Sequence, residues 1–245
     1  MTYQAVLFDL FDTLVLFHRE RLPEIHVNGR TVHSTAGLLH AAFRPFAPHV
    51  ELPAFMDALF WSWQEAERIR SEAHREVSAP ERFGMLFGRL ELEPSVEARD
   101  LLLATHMREL SRAVVFPAHH RSVLKELGRR HRLAVVSNFD YTPTARMVLE
   151  REEVADLFEA IVVSDEVGWR KPAPPIFERA LGVMGLAPGA ALFVGDRVDI
   201  DVAGAQGVGM RAVWINRDGG ARPEGIGAPD HEIRDLGELP GLLCT

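Results

Sequence analysis

Three apolar runs of this chain end in polar residues with chemical capacity. Val6-Leu7-Phe8 runs into Asp9, with Asp12 three positions on; Val135-Val136 runs into Ser137-Asn138; Phe193-Val194 runs into Gly195-Asp196, followed by Asp199 and Asp201. A lysine, Lys171, stands before Pro172 in the connection that precedes the third run. Asp9 interrupts an otherwise apolar stretch, and a carboxylate buried there needs a compensating partner. Carboxylates brought together repel one another unless a cation joins them. An all-oxygen donor set without Cys or His suits a hard ion such as Mg²⁺, which keeps open positions for phosphate oxygens. The Lys171 ammonium and the Ser137 hydroxyl are suited to the remaining oxygens of such an anion. One carboxylate beside the metal can act as a nucleophile, and a second, protonated, can donate to a leaving group and then activate water.

Such residues act together only if the fold collects them. Ala5–Leu10, Leu133–Ser137, Ala160–Ser164, Ala191–Gly195, Arg211–Ile215 and, more weakly, His231–Arg234 read as strands. They are continuous apolar runs rather than alternating ones, as expected of a parallel sheet covered on both faces. Between them lie helical patterns over Arg121–Arg130, Thr144–Glu150 (opened by a Thr142 cap and Pro143), Pro175–Met184 and Val202–Gln206. The alternation predicts an α/β domain with a doubly wound, Rossmann-like parallel sheet, whose strand ends face one crevice. Residues 17–114 break the rhythm. Asn28-Gly29 between two short alternating runs predicts a hairpin near 24–33. Ser78-Ala79-Pro80-Glu81 carries a helix start, and Val96–Leu110 reads as a further helix. Leu52, Phe55, Met56, Leu59, Phe60 and Trp63 form a helical stripe, read as the core of this module. The expected organisation is a core of residues 1–16 and 115–245 with a mainly helical module, 17–114, inserted.

Asp9-Leu10-Phe11-Asp12-Thr13-Leu14, Ser137-Asn138, Lys171-Pro172 and Gly195-Asp196 with Asp201 resemble, in order, the four motifs of the haloacid dehalogenase superfamily. The inserted module is similar to that family's helical cap. The resemblance implies roles. Asp9 is the nucleophile and a Mg²⁺ ligand, and Asp12 the general acid/base, with its carbonyl on the metal. Ser137 and the Asn138 backbone N–H bind the transferring phosphoryl group. Lys171 neutralises charge between that group and Asp9. Asp196 binds Mg²⁺, and Asp201 supports the metal shell or pairs with Lys171. Ile200 stands where many members have Asn, and Asp199 is a second acid that could take the supporting role. An acid at Asp12 favours phosphate-ester chemistry over carbon–halogen cleavage, because a departing alkoxide needs a proton and a halide does not. The expectation is a Mg²⁺-dependent phosphoric monoester hydrolase acting on a small phosphorylated metabolite. The alternatives are a haloacid dehalogenase or phosphosugar mutase of the same superfamily, or a non-catalytic binding module on the same fold.

Composition agrees with that reading. A formal charge of −8 argues against a general nucleic-acid or anionic-membrane binder. The opening Met1–Gln4 has no basic region, and the apolar run after it is broken by acids, so neither a signal peptide nor a membrane span is expected. The single cysteine, Cys244, allows no internal disulfide and suits a reducing, cytoplasmic compartment. Of the 27 basic residues only Lys125 and Lys171 are lysine. Arg68, Arg70 and Arg170 read as solvated charges, Asp199 as a first-turn helix acid, and the His119-His120 pair as structural.

Overall fold

The computed structural model describes residues 3–27 and 29–243, with only the backbone of residues 27 and 30. Asn28 and Cys244 therefore lie outside the described residues. The chain divides into two compact units. The first comprises Met1–Leu16, His74–Glu76 and Phe116–Thr245, the second Phe17–Ala73 and Val77–Val115. Residues 74–76, which fall inside the span expected for the inserted module, group with the first unit.

The first unit is built on a six-stranded sheet: β1 (Ala5–Phe8), β2 (Arg132–Ser137), β3 (Ala160–Val163), β4 (Ala191–Gly195), β5 (Arg211–Ile215) and β6 (His231–Ile233). Its spatial order is β3-β2-β1-β4-β5-β6, every pair parallel. This is the doubly wound arrangement, with its reversal of direction between β1 and β4. The strands are continuous apolar runs because both faces are covered. All four residues of β1 and all five of β4 are buried. On one face Leu7, Val136, Phe193 and Trp214 pack against Ile176, Phe177, Ala180, Leu181 and Met184 of the helix Pro174–Met184. Phe177 meets Phe193 edge-on at 5.2 Å, and losing a buried ring of this kind costs about 3–5 kcal/mol. Gly204, on the short helix Ala203–Gly207, lies so close that a Cβ there would sit 2.6 Å from the Phe177 ring.

Several boundaries differ from the sequence expectation. β1 stops at Phe8, two residues before Leu10, so Asp9 is the first residue beyond the strand. The helix after β2 starts at Thr142 with Tyr141 as its cap residue, and Asp165 supplies the capping acceptor, taking the Thr142 N–H at 2.9 Å. Before Ala203–Gly207 comes a π-helical turn, Val198–Val202.

The second unit holds a hairpin, Glu24–Val27 paired antiparallel with Arg30–His33, and four helices: α1 (Ala36–Phe43), α2 (Leu52–Ala73), α3 (Ala79–Arg89) and α4 (Val96–Arg112). Ser78 and Ser95 cap α3 and α4 by accepting the N–H of Glu81 and Ala98. Its core gathers Leu39, Phe43, Phe55, Phe83, Leu86, Phe87 and Leu102. The aromatic stripe expected to be core is only partly so. Phe55 is buried, whereas Phe60 and Trp63 are 59% and 50% exposed and stack on each other at 6.3 Å. The buried face of α2 instead runs Phe55, Ala58, Ser62, Ala66, Arg70. Small residues there permit close packing of α2 on its neighbours, which turns the large rings outward.

Candidate active site

The register of β1 with its neighbours assembles the acids. Phe8 lies level with Val135 of β2 and Val194 of β4, so Asp9, Ser137 and Asp196 all emerge at the carboxyl ends of adjacent strands. The Asp9 N–H continues the ladder by donating to the Val194 carbonyl at 2.9 Å. This edge, at the reversal point of the sheet, is where open α/β sheets bind ligands.

Lys171 reaches the same edge from the connection ahead of the helix Pro174–Met184. Its ammonium is buried and stands 2.6 Å from Asp9 Oδ1 and 2.7 Å from Asp201 Oδ1. Burial pulls its pKa down, but the two carboxylates outweigh that and raise it, so the side chain stays charged. The backbone that carries it is held by Asn138. The Asn138 side-chain amide donates to the Lys171 carbonyl at 2.9 Å, and its oxygen accepts the Lys171 N–H at 2.8 Å. Asn138 thus positions Lys171 through its side chain, beyond the backbone role expected of it.

Asp201 is 1% exposed, its second oxygen accepting the Arg197 N–H at 3.0 Å. Gly195 makes room for it, since a Cβ at that position would overlap the Asp201 carboxyl. Asp199 instead turns to the Arg197 guanidinium, with contacts of 2.8 and 3.0 Å. Of the two acids that could support a metal, Asp201 is the one gathered with Asp9 and Asp196. The Trp214 indole N–H donates to the Asp196 carbonyl at 2.8 Å, which anchors that residue's backbone.

One oxygen each from Asp9, Asp196 and Asp201 lies within 4.8 Å of the others. Such crowding strains the charged forms. Burial, followed by the charge of Asp201, raises Asp9 against the pull of Lys171, to about 6. Burial and the neighbouring carboxylates raise Asp196 to about 8. A single ammonium does not compensate three carboxylates. The deficit and the hard oxygen donors fit a divalent cation, for which Asp9, Asp196 and Asp201 could supply ligands.

Asp12 is exposed and occupies the left-handed region at φ 56°, which Asp tolerates better than most residues. It sits in a turn rather than at a helix start, so helix capping does not account for it. Ser137 is fully buried, and its Oγ has no hydrogen-bond partner among the described residues. A buried hydroxyl left in this way at a strand end is suited to an anionic oxygen.

Sequence reasoning missed a neighbouring ionic cluster. Glu76, 4% exposed, accepts from Ser164 Oγ and from the Arg170 guanidinium. Arg170 is therefore paired with a buried acid, not solvated. Arg70 likewise is buried, bonding Glu67 and the Val77 carbonyl, while Arg68 does lie on an exposed face with Glu65 and Glu72. A separate cluster, described below, joins His119 and His120 to Asp235.

A doubly wound sheet with an acid-rich crevice at its reversal point is the frame of a small-molecule enzyme. The sequence matches the haloacid dehalogenase-like hydrolases over residues 3–209, and the chain belongs to that family. It is 33% identical over 202 residues to a phosphoserine phosphatase of Thermus thermophilus, covering 82% of this chain and 74% of that protein. It is 36% identical over 124 residues to N-acylneuraminate-9-phosphatase of Rattus norvegicus, covering 50% of each. The chain thus spans half the length of that relative. Among solved structures it resembles a 2-haloacid dehalogenase from Pseudomonas syringae pv. Tomato DC3000, with a TM-score of 0.71 and 27% identity over 100% of this chain and 99% of that one. No helix among the described residues is long and apolar enough to cross a membrane.

Proposed function

We propose that this chain hydrolyses the phosphoric monoester of a small metabolite through an aspartyl-phosphate on Asp9. The observation that carries the reading is the Asp9 carboxylate fixed by Lys171 at 2.6 Å beside Asp196 and Asp201, with Asp12 three residues on. The phosphatases among the relatives support it from outside the site.

Asp9, Asp196 and the Asp12 carbonyl, supported by Asp201, would hold Mg²⁺, which would supply charge neutralisation for the phosphoryl oxygens. The chain's own groups do the rest. Lys171 and the Ser137 hydroxyl donate to phosphoryl oxygens, together with the Asn138 N–H. An Asp9 oxygen attacks phosphorus while the bond to the ester oxygen breaks, and the Asp12 carboxyl gives its proton to the departing alkoxide. Asp12, now a carboxylate, takes a proton from water as that water's oxygen attacks phosphorus. The bond to Asp9 breaks, inorganic phosphate leaves, and both acids return to their starting forms. The reading places the reaction in a reducing, cytoplasmic compartment, in keeping with the single cysteine.

The test is a panel of metabolite phosphates assayed for released phosphate with Mg²⁺, run on the wild type and on Asp9→Asn. The reading requires Mg²⁺-dependent turnover that Asp9→Asn lowers by at least about 10³-fold, the scale of losing a nucleophile. Halide release from a 2-haloacid without added Mg²⁺ indicates the dehalogenase alternative. Transfer of phosphate between two positions of a sugar phosphate indicates the mutase, and silence across the panel the binding module.

A further inference from the structure

We propose a second metal site, selective for Zn²⁺, formed by His119, His120 and Asp235 in the first unit. One ligand atom of each lies within 4.8 Å of the others. His120 starts the helix His120–Leu127, and Asp235 begins the turn after β6, so the sheet joins residues 116 positions apart.

The protonation of His120 follows from its partner. Its Nδ1 stands 2.8 Å from the Leu14 carbonyl, which can only accept, so Nδ1 carries the hydrogen and Nε2 the lone pair. His120 is 0% exposed, and its Nε2 has no hydrogen-bond partner among the described residues. A buried acceptor left unpaired is costly, and a metal ion satisfies it. An imidazole fixed by a carbonyl on its far nitrogen is the usual arrangement of a metal-bound histidine. Burial also keeps this ring in its neutral, ligating form.

His119 and Asp235 complete the set at the surface, with half-exposed side chains that give an ion a way in. His119 Nε2 is 2.9 and 3.1 Å from the two Asp235 oxygens. An ion replaces the hydrogen shared there, which moves to His119 Nδ1. Two imidazoles and one carboxylate, with the fourth position left for water, suit Zn²⁺ over Mg²⁺. The Arg217 guanidinium opposes positive charge at His120, so affinity leans on the Asp235 carboxylate. This donor set is distinct from the all-oxygen cluster of Asp9, Asp196 and Asp201.

The experiment uses the full chain in the Asp196→Asn background, with excess Mg²⁺ present, so that the carboxylate cluster contributes little. Equilibrium dialysis against Zn²⁺ followed by elemental analysis gives the uptake, and the visible spectrum of the Co²⁺ form gives nitrogen ligation. One Zn²⁺ per chain and a tetrahedral Co²⁺ spectrum are expected. Adding His119→Gln or Asp235→Asn should weaken binding by more than the about 10–100-fold that loss of an outer partner costs. Both substitutions are at half-exposed positions, and Asn retains the oxygen that caps Gly237. No uptake, or uptake that both substitutions leave unchanged, overturns the proposal.

Discussion

The side-chain amide of Asn138 and the backbone of Lys171 close a ring of two hydrogen bonds, 2.8 and 2.9 Å long, across 33 positions of sequence. An ammonium on a flexible stem is thereby delivered to one place, between Asp9 and Asp201. Asn138→Ala keeps that ammonium but frees its backbone. Because a misplacement of about 1 Å can cost roughly 10²-fold, kcat should fall on the order of 10–100-fold. A steady-state assay with unchanged kcat would show that the ring is dispensable.

Lys171→Arg keeps the charge and changes its shape. The side chain is 1% exposed and bridges two carboxylates at 2.6 and 2.7 Å, a gap fitted to a compact ammonium rather than a planar fork. Activity should drop by about 10²-fold or more while the fold persists, read by turnover beside circular dichroism. Full activity would mean that the rarity of lysine in this chain says nothing about this position.

Asp12→Asn removes a transferable proton and leaves the turn, since Asn also tolerates positive φ. Turnover of an alkyl phosphate should fall roughly 10²–10⁴-fold. An aryl phosphate, whose leaving group needs less protonation, should lose much less in the first step. Equal losses on burst-phase kinetics of the two substrates would remove Asp12 from the role of acid.

Stability should report the crowded carboxylates. In EDTA the folded chain holds protons on Asp9 up to about pH 6 and on Asp196 up to about pH 8, whereas the unfolded chain releases both near 3.8. The folded state thus binds more protons between those values, and these two groups withdraw stability as pH rises through that window. The Tm difference, Asp196→Asn minus wild type, should be larger at pH 8 than at pH 5. Mg²⁺ should raise the wild-type Tm more at pH 8, because it binds the deprotonated acids. A difference independent of pH would contradict this account.

Gly195→Ala adds one methyl against the Asp201 carboxyl. Overpacking of this kind costs about 1–3 kcal/mol, and here it also displaces an acid bonded to Lys171. Both Tm and Mg²⁺ affinity should fall, the latter read by isothermal titration. Unchanged metal affinity would separate Asp201 from the metal's surroundings.

The core sheet was legible because burial on both faces leaves unbroken Val, Leu, Ile and Phe runs, and Asp9 stood out for breaking one. The order of the motifs also led to Lys171, whose place beside Asp9 depends on a connection no periodicity reveals. What stayed hidden depends on distant pairing. Nothing local to His119-His120 announces Asp235, 116 positions away, nor does Arg170 announce Glu76, 94 positions back. Helix α2 misled for a different reason. Its spacing offers two stripes, one of large rings through Phe60 and Trp63 and one of small residues through Ala58, Ser62 and Ala66. Packing against neighbouring helices selects between them, and a single helix does not contain that information.

The position of β1 at the middle of the sheet has a consequence for biosynthesis. Its hydrogen-bonding partners on its two sides begin at Arg132 and Ala191. At roughly 5–20 residues per second, a ribosome needs about 10–40 s after making Phe8 to supply the second of them. For that time the short, wholly apolar β1 lacks at least one of its two neighbours, the kind of segment that chaperones shield. Asp9, just beyond β1, is made long before Ser137, Lys171 and Asp196, so the nascent chain gathers its acids only after β4 has been made.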